Sequence, residues 1–272
     1  MAKAIVMGAA GKMGGRIASL IADTDGIEVV GAVEQKGHPM IGRDLGELLG
    51  FGKIGVLITH DILDCIDKAD VIIDFTAHES SMEHFKIAAG KNKAIVIGST
   101  GFTPEEMQEI RSMSSGARCV LAPNMSVGVN VLLKILKISA QILGDDYDVE
   151  IVEAHHNQKK DAPSGTAVKM AEVLANALHR DLAEVGVYER KGMIGARTKK
   201  EIGLQTVRAG DIVGEHTVIF GGIGERLEFI HRAHSRDNFA KGAIRAAKWI
   251  VNQPNGLYDM QDVLGLKNLK EL

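Results

Sequence analysis

Residues 153–167 read E-A-H-H-N-Q-K-K-D-A-P-S-G-T-A and carry side chains able to move a proton and grip an anion. His155 and His156 change charge near neutral pH, and Lys159 is a mobile cation. Pro163-Ser164-Gly165-Thr166 reads as the start of a helix striped by Ala171, Leu174, Ala175 and Leu178. Hydroxyls and unpaired amides at such a start form a carboxylate cradle. The cluster suits an anionic substrate that must receive a proton. The alternative is a solvated polar loop, with Ser164 serving only as a helix cap.

The preceding D-V-E-I-V-E-A-H-H sets Val149 and Ile151 against Glu150 and Glu153, the pattern of a strand with one buried face, and delivers the histidines at its end. Adjacent strand residues face opposite sides, so both imidazoles share one site only if the chain curls there. Val127–Leu143 carries a helical pattern with Val131, Leu132, Ile135, Leu136 and Ile142 on or near one stripe, which Asn124 or Ser126 could cap. Residues 202–234 contain L-Q-T-V-R-A, I-V-G-E-H-T-V-I-F and R-L-E-F-I-H-R-A-H between short glycine turns, which reads as antiparallel sheet. The open face or edge of so small a sheet needs a cover, and association of several copies would supply one. A last helix near 238–251, with Phe239, Ile244, Ala247 and Trp249, is placed to return to the first half.

That first half opens on K-A-I-V-M-G, then G-A-A-G-K-M-G, then a helical pattern through Ile17, Leu20 and Ile21: strand, glycine turn, helix. Gly8, Gly11 and Gly14 permit a tight turn, close approach of backbone amides to a pyrophosphate, and close packing of helix on sheet. Glu34 ends the next strand where a carboxylate meets adenosine ribose hydroxyls. The apolar runs at 71–75, 94–98 and 119–122 imply a sheet covered on both faces. Ligands of such sheets bind beyond the carboxyl ends of the strands, which nominates Asp74-Phe75-Thr76, Gly98-Ser99-Thr100-Gly101 and Ala122-Pro123-Asn124-Met125. Glu34 would repel the 2′-phosphate of NADP and Gln35 lacks a neutralising guanidinium, so NADH is expected to work at least as well as NADPH.

The whole is read as an α/β protein: a Rossmann-like dinucleotide-binding domain, 1–126 plus 236–272, and a second α+β domain, 127–235, on a mostly antiparallel or mixed sheet. The net charge of −3 and pI near 6.4 give no general attraction to nucleic acid or anionic membrane. Cys65 and Cys119, with no C-x-x-C, argue against a disulfide framework or zinc module and read as buried thiols. His231-Arg-Ala-His234 lacks a third ligand at helpful spacing, and no metal is expected. Asp74 and Glu153 read as strand-end residues in different halves. No signal peptide or long apolar span is evident, and the cytoplasm is the expected compartment.

Taken together, E-A-H-H-N-Q-K-K-D-A-P-S-G-T-A, G-A-A-G-K-M-G, V-I-G-S-T-G-F and A-P-N-M-S-V-G-V-N resemble the bacterial 4-hydroxy-tetrahydrodipicolinate (dihydrodipicolinate) reductases of lysine biosynthesis. Arg208–Phe220 and the R-D-N-F-A-K-G-A run from Arg236 carry the likeness across nearly the whole chain. The resemblance implies NADH- and/or NADPH-dependent reduction of a cyclic, unsaturated dicarboxylate with loss of water. It makes His155 a proton donor or acceptor and Lys159 a proton donor, with His156, Lys159, Gly165 and Thr166 holding substrate. Ser164 joins that substrate set from its place at the helix start. The resemblance puts the cofactor on Gly8, Ala9, Ala10, Gly11, Lys12, Met13, Glu34, Gly98, Ser99, Thr100, Ala122, Pro123, Asn124 and Met125. It further implies a homotetramer built through second-domain sheets and hinged domain closure, for which the sequence itself offers hinges near 125–128 and 235–237.

Two positions depart from the family pattern: His78 stands where a proline is common, and Gln35 where a basic residue is frequent. The rival readings are another two-domain NAD(P)-dependent dehydrogenase, which the H-H-x-x-K run disfavours, and a dinucleotide-sensing regulator, for which no basic helix is evident.

Overall fold

Short, largely apolar strands alternating with amphipathic helices leave the first part of the chain one way to bury its runs: a parallel sheet between two helical layers. The computed structural model describes residues 1–269. It contains β1 (Ala2–Met7), α1 (Lys12–Ala22), β2 (Ile27–Val33), α2 (Leu45–Leu49), β3 (Ile58–Thr59), β4 (Val71–Asp74), α3 (His78–Gly90), β5 (Ala94–Ile97), α4 (Pro104–Met113) and β6 (Arg118–Leu121). There follow α5 (Val127–Leu143), β7 (Asp148–His155), α6 (Gly165–Ala177), α7 (Leu182–Val185), β8 (Gly186–Val187), β9 (Ile202–Arg208), β10 (Gly214–Gly221) and β11 (Arg226–Ala233). The chain then returns through α8 (Asp237–Ile250), β12 (Gly256–Tyr258) and α9 (Met260–Val263).

Two units result, Met1–Val127 with Asp237–Lys267, and Gly128–Arg236 with Asn268 and Leu269. Asn268 and Leu269 group with the second unit, whereas the expectation put 236–272 in the first. Leu266 is the last buried side chain of the return segment. Residues 270–272 of that assignment lie outside the described residues.

In the first unit the strands are all parallel in the order β3-β2-β1-β4-β5-β6-β12. Strand residues alternate between two cores. Val6, Ile73 and Val96 join Ile17 and Ile21 of α1 and Ala240, Ala243 and Ala247 of α8 on one face. Ile5, Ile72 and Ile95 join Met82, Phe85 and Ile110 on the other. Each fully buried large side chain contributes roughly 1.5–3 kcal/mol relative to exposure. The strand order reverses between β1 and β4, which opens a crevice beyond their carboxyl ends.

The second unit has a mixed sheet in the order β11-β10-β7-β9-β8, with β10 antiparallel to both neighbours and β9 parallel to β7 and β8. Residues 202–234 are therefore not one antiparallel run: the β9–β10 connection carries the chain across β7. Helices α5 and α6 cover one face, where Leu132, Leu136 and Ala140 meet Ile151, Leu174 and Val218.

The expected stripe on α5 needs correction. Val129, Leu132, Leu136 and Ala140 are its buried apolar residues, whereas Val131, Ile135 and Ile142 are exposed. This helix is apolar on more than one face, so periodicity alone could not choose between stripes. With the turn after it, Val127–Asp146 is long and apolar enough, at mean hydropathy 1.5, to match a membrane span by length and composition. Its buried face nevertheless forms part of the second unit's core.

Candidate active site

Strand period two places Glu153 and His155 of β7 on the same face. The register then aligns Thr206 of β9, Glu153, His216 of β10 and His231 of β11 in one row across the sheet. In the next row, Arg208 lies opposite His155. Glu153 is only 1% exposed and could not stay ionised there without partners. It accepts from His155 Nδ1 at 2.6 Å, from Arg208 Nη1 and Nη2 at 2.8 Å each, from the Ser164 amide at 3.0 Å and from Thr206 Oγ1 at 3.3 Å. Burial alone would raise this carboxyl, but the bonds from Arg208, His155 and Ser164 outweigh it and hold the pKa near about 2.

Burial pushes the His155 pKa below its ordinary value, against the pull of Glu153, and the charges of Lys159 and Arg208 push it the same way. Its ring meets that of His216 edge to face at 5.3 Å. Gly214, the first residue of β10, makes room for it: a Cβ there would lie 3.0 Å from His155 Nε2. His216 is buried, and desolvation, then the nearby His155, brings its pKa down to about 4.

Strand β7 ends at His155, and the Lys159 amide donates to the His156 carbonyl at 3.1 Å, closing a turn. Lys159 Nζ pairs with Asp161 at 2.9 Å and is 21% exposed at its side chain. Gly165 and Thr166 form the first turn of the 13-residue α6, at the positive end of its dipole. Ser164, the residue just before α6, turns its hydroxyl inward. It is buried, its Oγ caps α6 by accepting the Ala167 amide at 3.2 Å, and the same hydroxyl meets His216 Nε2 at 2.9 Å. Its hydroxyl is committed to the protein interior.

The first unit carries a candidate site of its own. Gly8 has φ +60°, a left-handed conformation that favours glycine. A Cβ on Gly14 would lie 2.1 Å from the Gly8 carbonyl oxygen, so α1 packs directly on the turn. Gly11 precedes α1 with no side-chain cap, and Lys12 and Met13 open the helix. The Ala10 amide donates to Glu34 at 3.0 Å, tying the turn to the end of β2. Ala9, Ser99, Ala122 and Met125 are buried at 5% exposure or less and have chiefly backbone to offer a ligand. Gly98 lies under the Phe75 ring, and Asn124 Oδ1 accepts the Ser126 amide just before α5. Thr100 and Pro123 are exposed. A left-handed glycine turn, a helix start with no side-chain cap and a carboxylate at the end of β2 fit a dinucleotide.

Sequence reasoning missed Glu153, Arg208, Gly214 and His216 as members of the site. Only Glu153 had a local signal, its i, i+2 spacing to His155. The others join through strand register. Among the described residues no group of three or more His, Cys, Asp or Glu is arranged to hold a metal.

The fold and the site define a two-domain, nicotinamide-linked oxidoreductase. The sequence profile "Dihydrodipicolinate reductase, N-terminus" matches residues 2–125, and "Dihydrodipicolinate reductase, C-terminus" matches residues 128–264. The chain belongs to the dihydrodipicolinate reductase family. It is 65% identical over 268 residues to the 4-hydroxy-tetrahydrodipicolinate reductase of Syntrophus aciditrophicus (strain SB), covering 98% of this chain and 100% of the relative. The protein of that name from Syntrophobacter fumaroxidans (strain DSM 10017 / MPOB) is 55% identical over 267 residues, with the same two coverages. Among solved structures, a dipicolinate-bound dihydrodipicolinate reductase from Paenisporosarcina sp. TG-14 superposes with a TM-score of 0.76 at 26% identity, covering 99% of each chain. An amine dehydrogenase from Mycobacterium smegmatis, at 14% identity, TM-score 0.60 and 94% coverage of each chain, shares the fold alone.

Proposed function

We propose that the protein reduces 4-hydroxy-tetrahydrodipicolinate to tetrahydrodipicolinate, with loss of water, in the diaminopimelate route to lysine. A nicotinamide dinucleotide, when bound, supplies the hydride. Gly8–Met13, Glu34, Gly98–Thr100 and Ala122–Met125 would hold it, chiefly through backbone. His156, Lys159, Gly165 and Thr166 grip the substrate carboxylates, with cations and helix-start amides opposing negative charge. Hydride addition to a conjugated imine leaves an electron-rich centre, and a positioned acid contributes roughly 10²–10⁴-fold to such a step. His155 gives up that proton, and Lys159, the nearby cation, steadies the developing charge and serves as a further donor.

The observation that carries the reading is His155 held at Nδ1 by a buried carboxylate, which leaves Nε2 for chemistry on the unit that bears Lys159 and the start of α6. On cofactor choice, Glu34 disfavours a 2′-phosphate, and NADH is expected to serve at least as well as NADPH. For assembly we infer a homotetramer formed through the second-unit sheets. Its support is the resemblance together with Val207 and Ile230, 42% and 46% exposed on β9 and β11.

The test is oxidation of NADH and of NADPH in the presence of substrate formed in situ from pyruvate and aspartate semialdehyde. Rapid oxidation is expected with NADH. Folded protein that oxidises neither cofactor would return the chain to the wider two-domain dehydrogenases.

A further inference from the structure

A carboxylate only accepts hydrogen bonds. Because Glu153 stays ionised and sits 2.6 Å from His155 Nδ1, the hydrogen on Nδ1 belongs to the imidazole in both of its charge states. Neutral His155 therefore has its lone pair on Nε2, and any proton it delivers leaves from Nε2. That is the nitrogen for which Gly214, lacking a Cβ, makes room.

An unopposed buried carboxylate at this distance would also hold the ring permanently protonated. Here it is opposed. Arg208 takes both Glu153 oxygens in a two-point fork and donates further to the Asp161 carbonyl at 2.7 Å, which fixes the guanidinium in place. The charged and titratable groups around His155 are Glu153 on its own strand, Arg208 on β9, Lys159 with its partner Asp161 and the adjoining His156 in the loop, and His216 on β10 with His231 beyond it. Glu153 and Arg208 cancel formally, as do Lys159 and its partner Asp161, and what remains is neutral. The free site is thus built to orient His155 while leaving it unprotonated.

We propose that Glu153 and Arg208 form a neutralised positioning pair: the carboxylate fixes the His155 hydrogen on Nδ1 and presents Nε2, the guanidinium cancels the charge that would keep the ring protonated, and arrival of the dicarboxylate draws the reacting proton from solvent onto Nε2. The balance is simple. Substrate binding adds one proton to the site, the Nε2–H bond breaks as the substrate's new bond to hydrogen forms, and His155 returns to its neutral state. The proposal rests on the reductase reading of the site and adds where its acid obtains its proton.

The test uses the full-length protein and dipicolinate, a stable dicarboxylate. Calorimetric titration near neutral pH in two buffers of different ionisation enthalpy should show uptake approaching about one proton per site. No uptake at any pH would overturn the proposal. Glu153→Gln should lower kcat by about 10–100-fold, weaken dipicolinate binding at neutral pH because the ring takes up its proton less readily, and move the basic limb of kcat/KM to lower pH. Arg208→Gln should move that limb to higher pH, and Arg208→Lys, which keeps the charge, should bring it back. Shifts of the two glutamine variants in the same direction would signify general loosening of the site and refute the pair. Should either variant fail to fold, proton uptake by the wild type decides alone. Wild type that neither binds dipicolinate nor reduces substrate sinks the reductase reading and this proposal with it, whereas wild type that does both without taking up a proton sinks this proposal only.

Discussion

Replacing Gly214 by alanine should separate activity from stability. The backbone at Gly214 is not left-handed, so alanine can adopt it, and loss of unfolded-chain freedom favours the folded variant by about 0.4–1 kcal/mol. The cost falls on His155. The added Cβ would lie 3.0 Å from Nε2 and 3.3 Å from Cδ2, whereas carbon contacts become comfortable near about 3.5 Å. The ring must move by roughly 0.5 Å, yet its Nδ1 is held at 2.6 Å by a carboxylate that is itself clamped. A misplacement of about 1 Å costs on the order of 100-fold in rate, so half of that corresponds to about tenfold in kcat. Steady-state kinetics at saturating cofactor, run beside thermal unfolding, would show kcat down about tenfold with a melting temperature equal to wild type or slightly higher. A folded Gly214→Ala enzyme with kcat within twofold of wild type would refute the claim that Nε2 is the working nitrogen in this position.

Acidification should destabilise the second unit in two stages. His216, buried and depressed to about 4, contributes stability above its ordinary 6.5 that is lost as pH falls toward 4. Glu153, held near about 2 against an ordinary 4.5, contributes stability above 4.5 that is lost as pH falls further. Each shift corresponds to on the order of 3 kcal/mol, and denaturant titrations across this range should decline in that sequence, with His216→Gln flattening the first stage. His78→Ala removes a ring that bonds Glu106 at 3.0 Å and meets Phe102 edge to face, linking the start of α3 to the start of α4 beside two nominated cofactor loops. Its loss should raise the Kd for NADH about fivefold, or about 1 kcal/mol, with kcat little changed. An unchanged Kd in a fluorescence titration would show that His78 only fills space. Burial pushes the Cys65 thiol up to about 11 and Cys119 higher still, so native protein should resist a thiol reagent that reacts with both cysteines after denaturation.

The first unit was legible because its signals are local. A glycine turn between strand and helix needs neighbours only a few residues away, and continuous apolar runs such as Ala94–Ile97 announce a two-sided sheet by themselves. The histidine loop was legible for a similar reason: its chemistry-bearing types are packed into one stretch. Glu153 read as a strand end because nothing local reveals that Arg208, 55 residues away, reaches both its oxygens. That pairing depends on β9 running parallel beside β7, which the strand pattern of 202–234 did not disclose. Ser164 was seen as a cap and as a ligand, and only the placement of His216 turns its hydroxyl inward. On α5 the apolar residues outnumber those one face can bury, so burial was decided by the partners in the core rather than by the helix.

The central claim is that His155, aided by Lys159, supplies the proton on which reduction depends. The most direct test is single-turnover reduction by wild type, His155→Ala and Lys159→Ala, each shown to be folded and to bind NADH normally. The account predicts reduction slowed by about 100-fold or more in the His155 variant, and a comparable loss in the Lys159 variant accompanied by weaker binding of dipicolinate. Wild-type rates in folded His155→Ala would contradict it and move the acid elsewhere.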